Sequence, residues 1–134
     1  MPRLFRESPV NAIWEGSGNV QCLDVLRAMG KSPETLDAYF AEVETADGMN
    51  ATLDAHIADL REDMRRTDDF ELRARNLVDR LATGLQASLL VRHAPSYVSE
   101  AFCASRLASH GAHQYGALPK GVDCKAIVER ARVR

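Results

Sequence analysis

Residues 68–93, DDFELRARNLVDRLATGLQASLLVRH, decide the fold class. Phe70, Leu77, Leu81, Leu85 and Leu89 recur at the three-to-four-residue spacing of one helical face, with polar residues between them. Asp68, Asp69 and Glu71 suit the positive end of a helix dipole, and Arg92 and His93 suit the negative end. Pro95 bars continuation. The spacing predicts a long amphipathic helix that starts at Thr67 or Asp68 and ends near His93.

The same period extends in both directions. Asn50 opens a run in which Leu53, Ile57, Leu60 and Met64 repeat up to Arg65 and Arg66. Before it, Ser32 and Pro33 form an N-cap with proline at the first helical position, followed by Leu36, Tyr39, Phe40 and Val43 up to the break at Asp47-Gly48. Further back, Val20, Cys22, Leu23, Leu26 and Met29 form a stripe opened by Ser17 or Asn19, and Gly30 is expected to close it as a positive-φ cap. After Pro95, a helix starting near Ser96 carries Val98, Phe102 and Leu107 beside a small-residue face of Ala101, Ala104, Ser105 and Ala108, and Gly111 stops it. His110 to Gly121 reads as a loop, and Val122 to Arg132 as a short last helix with Ile127 inward. The expected fold is all-α, a bundle of about six helices preceded by an irregular N-terminal segment. That segment, residues 1–18, holds Pro2, Pro9, Gly16 and Gly18. It also holds Phe5, Val10, Ile13 and Trp14, too apolar for a free tail, so either the bundle or a missing part of a larger chain must cover it.

Composition narrows the function. The 134 residues are 46% hydrophobic and 27% charged with a net charge of −2, the profile of one soluble domain. No apolar run approaches the ~18 residues of a membrane span and no signal peptide is evident, so a cytoplasmic location is expected. Cys22, Cys103 and Cys124 are odd in number and include no Cys-x-x-Cys pair, which argues against a disulfide framework or zinc ribbon; they read as reduced and mostly buried. His110 and His113 have metal-like spacing without further ligands, so no metal is expected. His56 and His93 read as helix-surface or cap residues. No Ser-His-Asp set or P-loop is present. The charge is uneven, −7 through Asp79 and +5 from Arg80 onward. Such a gradient arises either from two faces that attract each other within the fold or from a surface for an acidic partner such as nucleic acid.

One short stretch carries chemistry: Trp14-Glu15-Gly16-Ser17-Gly18-Asn19, leading into the helix from Val20 to Arg27. It places a carboxylate on a turn immediately before a helix. The two glycines permit close backbone approach, while free amides, Ser17 and Asn19 offer donors to an anion. An ordinary turn with an N-cap has the same composition.

Residues 6–27, with Tyr115-Gly116-Ala117-Leu118-Pro119-Lys120-Gly121-Val122-Asp123 downstream, resemble the C-terminal region of the flavin-dependent acyl-CoA dehydrogenases. The branch they resemble most is the AidB-like, alkylation-damage response branch. That resemblance implies a C-terminal fragment of a much longer flavoprotein. Residues 1–30 would be the end of the family's C-terminal helical domain and 31–134 the helical extension of the branch. It implies that Glu15 is the catalytic base that removes the proton α to a thioester, and that Trp14, Gly16, Ser17 and Asn19 face flavin adenine dinucleotide (FAD) in the full-length parent. Trp14 and Ser17 stand where the wider family has Tyr and Thr, which implies a reshaped pocket. The chain alone is expected to bind no cofactor and to be inactive. The branch's association with DNA implies phosphate contacts by some of Arg27, Arg61, Arg65, Arg66, Arg92, Arg106, Lys120, Lys125, Arg130, Arg132 and Arg134, foremost Arg27, Arg65, Arg66, Arg130 and Arg132. The expected partners are further copies of the chain, the rest of the parent and duplex DNA, with no membrane. The alternative readings are a sequence-independent DNA-binding module and a structural or oligomerisation domain.

Overall fold

The computed structural model describes residues 2–14, 16–66, 68–108, 116 and 118–132. Among these, every regular element is helical: α1 (Pro2–Glu7), a 3-10 turn (Ser8–Ala12), α2 (Gly18–Lys31), α3 (Glu34–Val43), α4 (Ala51–Met64), α5 (Phe70–His93), α6 (Ser96–Phe102) and α7 (Cys124–Ala131). The fold is all-α.

Helix starts follow their caps. The Asn50 side chain accepts from the amides of Thr52 and Leu53 at the head of α4, and Asp123 accepts from Ala126 at the head of α7. Helix α5 begins later than its acidic residues suggest, because Asp69 adopts a left-handed backbone at φ 59°. Asp tolerates that conformation better than most residues. Arg73 stitches the corner by donating to the carbonyls of Arg66 and Asp68.

Three expectations need correction. The N-terminal segment is not irregular: it forms α1 and the 3-10 turn, and neither buries a residue. Gly30 does not cap α2 with a positive φ; it is helical, the helix runs on to Lys31, and Ser32 ends it by donating its amide to Ala28. The helix after Pro95 is α-helical only to Phe102, and Cys103–Leu107 widens into a π-turn closed by Ala108 N–H to the carbonyl of Cys103. There Ser105 Oγ bonds the carbonyls of Ala101 and Phe102, competing with the ordinary ladder.

The core lies where α3, α4 and α5 meet the π-turn. Phe40, Val43, Leu53, Leu60, Leu77 and Cys103 are almost fully buried there, and burial pushes the Cys103 thiol up to about 11. On α5 the buried surface is wider than the leucine stripe. Leu77 and Leu81 are inside, but Leu89 is substantially exposed, and Thr83, Gly84, Ala87 and Ser88 are buried instead. These small residues let α3 and α4 approach closely. A Cβ at Gly84 would lie 2.8 Å from the Tyr39 hydroxyl oxygen and 3.1 Å from Ile57 Cδ1. Beside that gap the Tyr39 hydroxyl donates to the carbonyl of Leu81 at 2.8 Å, and His56 Nε2 donates to that of Arg80 at 3.0 Å. Ser88 Oγ bonds the carbonyl of Val43. A polar seam therefore crosses an otherwise apolar interface, and each of these side chains has a partner.

Candidate functional site

The turn that enters α2 is built from the backbone outward. Ile13 and Trp14 both donate their amides to the carbonyl of Val10, and the Gly16 amide reaches the carbonyl of Ile13. Gly16 then takes φ 119°, a conformation closed to most side chains, with Val20 Cγ1 3.2 Å from where a Cβ would sit. Gln21 Nε2 clamps the turn from α2 by donating to the carbonyl of Trp14 at 2.9 Å. Ser17 is the N-cap of α2 in extended backbone, and its side chain makes no capping bond.

The amides of Gly18, Asn19 and Val20, in the first turn of α2, have no intrahelical acceptor. They share the turn with the exposed Ser17 hydroxyl. Arg75 of α5, unremarked in the sequence, joins them: its Nη1 donates to Asn19 Oδ1 at 2.6 Å, and its guanidinium passes 3.5 Å from the Cβ position of Gly18. No local pattern links residues 56 apart in sequence, so only the packing of α2 on α5 reveals this cation. The donor set of helix amides, hydroxyl and guanidinium suits the anionic part of a nucleotide cofactor.

Trp14, Gly16, Ser17 and Asn19 are thus brought to one turn, while Glu15 lies outside the described residues. Trp14 is 65% exposed. The expected cover over the apolar N-terminal residues is absent among the described residues: Leu4, Phe5, Val10 and Ile13 are exposed along with it.

The cations split into two groups. Those facing α3 and α4 are neutralised within the bundle: Arg80 bonds Asp59 and Asp63, Arg92 bonds Glu42, and Arg61 bonds Glu44 while lying 4.1 Å above the Phe40 ring. Of the foremost phosphate candidates, Arg27 and Arg65 pair with Asp24 and Glu62 one turn away, and Arg66 lies 3.9 Å from Asp63. Arg130 and Arg132 are exposed near the end of α7 and form no ion pair among the described residues. Arg134, His110, His113 and Tyr115 lie outside those residues. Two cations of the basic half, Arg80 and Arg92, are therefore neutralised by carboxylates of the acidic half.

The described cysteines and histidines form no group that could hold a metal ion. Cys22 and Cys103 are buried, whereas Cys124 is exposed. His56 is not a surface residue: burial pushes its pKa below the usual imidazole value, keeping it neutral while it donates to Arg80. No helix among the described residues is long and apolar enough to cross a membrane.

No protein-family model matches the chain, and no solved structure matches it. Among curated proteins, it is 33% identical over 112 residues to the Escherichia coli (strain K12) protein named "Putative acyl-CoA dehydrogenase AidB". That alignment covers 83% of this chain but 20% of the relative, so the chain spans about one fifth of the length of the protein it matches. Over that fifth the chain is similar to a protein of the acyl-CoA dehydrogenase family, the AidB-like branch that residues 6–27 resemble.

Proposed function

We propose that this chain is the C-terminal helical portion of an FAD-dependent, AidB-like oxidoreductase, contributing one wall of the flavin and acyl thioester site and inactive alone. The observation that carries this reading is the match to AidB over a fifth of its length, together with the donor-lined turn at the head of α2. Residues 1–30 then belong to the dehydrogenase's own helical domain and 31–134 to the extension.

In the complete protein, Glu15 takes the proton α to the thioester. A carboxylate does this best on a rigid turn in a dry pocket that raises its pKa toward neutrality. Bound there, FAD would supply the acceptor for the accompanying hydride. Ser17, Asn19 and the first amides of α2 would hold its polar groups, Gly16 would let the turn lie close to it, and Trp14 would provide an apolar wall. Arg75 orients Asn19 from behind through the bond between them. One wall cannot exclude water or orient two reactants, which is why the isolated chain is inactive.

The test has two arms. The 134-residue chain, titrated with FAD, should neither quench flavin fluorescence nor reduce a dye with acyl-CoA; tight binding or turnover overturns the fragment reading. A chain extended to the length of the AidB relative should bind FAD and be reduced by acyl-CoA thioesters. There, Glu15→Gln should abolish flavin reduction while flavin stays bound, and reduction unaffected by that change removes Glu15 from the chemistry.

A further inference from the structure

Arg75 reaches from α5 to the head of α2, where its Nη1 donates to Asn19 Oδ1 at 2.6 Å and its guanidinium passes 3.5 Å from the Cβ position of Gly18. On the same helix Arg73 and Arg80 face Asp63, and Arg80 also bonds Asp59. Arg75 forms no ion pair among the described residues, and its hydrogen-bond partner there is the Asn19 side chain. A cation at the positive end of a helix dipole gains nothing from that dipole, so helix electrostatics do not explain its place. We propose that Arg75 makes the helical extension part of the cofactor site: it commits Asn19 to present donors to the charged diphosphate of FAD, and so couples flavin retention to the packing of α5 on α2. This role rests on the flavin-side reading of the turn.

The two side chains carry it by their chemistry. A guanidinium has donors and no acceptor, so a carboxamide that meets it must present its oxygen. With Asn19 Oδ1 taken up in this way, its Nδ2 hydrogens are left for another acceptor. The neighbouring groups are donors too: the amides of Gly18, Asn19 and Val20 have no intrahelical acceptor, and the Ser17 hydroxyl makes no capping bond. Phosphate oxygens accept hydrogen bonds and donate none, so a rim of donors selects them. Without Arg75 nothing fixes which end of the exposed Asn19 carboxamide faces outward, and one of its two orientations offers an acceptor to an anion. Asn19 stands in the motif, whereas Arg75 lies 56 residues later, in the segment assigned to the extension. The bond therefore joins the two proposed parts of the chain at the cofactor.

The test has two arms. In the 134-residue chain, Arg75→Ala should move the Asn19 side-chain amide signals in a proton–nitrogen correlation spectrum. Both residues are exposed, so the bundle should survive, and circular dichroism checks that it does. Signals that stay in place overturn the proposal. The second arm uses a chain extended to the length of the AidB relative and reads FAD affinity by fluorescence quenching rather than turnover. Arg75→Ala should weaken FAD roughly tenfold, the scale of a hydrogen bond to a charged group. Arg75→Gln, which returns a donor to Asn19 Oδ1, should recover part of that loss. In an Asn19→Ala background, Arg75→Ala should cause no further loss. Asn19→Asp keeps a partner for Arg75 but replaces the donors by acceptor oxygens, and should weaken FAD more than Asn19→Ala does. Affinity unchanged by Arg75→Ala, additive losses in the double variant, or FAD held by Asn19→Asp as well as by the parent would each overturn the role of Arg75 and leave the flavin reading standing. An extended chain that takes up no FAD removes both.

Discussion

The turn at residues 13–19 and the seam around Gly84 both use a glycine to bring polar groups close to backbone, yet they work in opposite surroundings. At the seam, three helices converge and the Tyr39 hydroxyl and His56 ring are tied to α5 carbonyls inside the core. At the turn the donors face solvent, and the chain held against them amounts to Gln21 and Arg75. The polar groups of the seam are paired within this chain, whereas Ser17 and Asn19 at the turn are exposed. A position's contribution to stability and its contribution to chemistry are therefore separable here, and substitutions should show it.

The largest effect is expected from the core. Leu77→Ala removes a side chain with no exposure and should cost about 2–5 kcal/mol in urea unfolding, whereas Phe5→Ala in α1 should change it by less than about 0.5 kcal/mol. Equal effects at both sites would mean α1 is part of the folded core.

Next comes a contrast between two helical glycines. Gly84→Ala drives a methyl group toward the Tyr39 hydroxyl and Ile57 and should destabilise by about 1–3 kcal/mol despite the better helix propensity of alanine. Gly30→Ala meets nothing within 4 Å and should stabilise by about 0.5–1 kcal/mol. Thermal melts of the two variants give opposite signs if the seam is as close as described.

His56 adds a pH dependence to the seam. Burial lowers its pKa in the folded state; the hydrogen bond to the Arg80 backbone opposes this, the Arg80 charge adds to it, and Asp59 and Asp79 oppose it. The unfolded chain therefore binds the proton more readily. Its contribution to stability is fully present above the unfolded value of about 6.5 and is lost as pH falls through the lower folded value. His56→Gln, which retains a donor, should flatten the stability profile between pH 7.5 and 5. An unchanged slope would assign the acid sensitivity to the carboxylates of the ion pairs.

The smallest effects belong to the exposed pairs. Arg27→Ala and Arg65→Ala break one-turn contacts open to solvent and should each shift stability by less than about 0.5 kcal/mol, less still at high salt. A larger loss at either residue would show that its stem packs against the bundle.

The helices and most of their starts were legible because helical period and caps are local: Asn50 and Ser17 sit where the pattern puts them, while α7 starts at Cys124 behind an Asp123 cap rather than at Val122. Gly30 misled because glycine permits a positive φ without requiring one. Leu89 misled because α5 packs against neighbours on two sides, and its small residues, which carry no hydrophobic signal, occupy the closest contacts. The site was legible as a motif, since Trp14, Gly16, Ser17 and Asn19 are adjacent in sequence. Arg75 was not, because its partner is 56 residues away.

By itself the sequence determined that this chain is helical throughout its regular elements, where most of those helices begin, and which short turn carries donors and a carboxylate. These properties depend on dihedral preference and side-chain spacing over a few residues. Tertiary structure alone decided that Gly84 sits against Tyr39, that Arg80 and Arg92 are consumed by carboxylates of α3 and α4, and that α1 and the 3-10 turn are left uncovered. Each of these follows from which helix faces meet. That choice is made by shape and charge summed over distant residues, and no local window of the chain contains it.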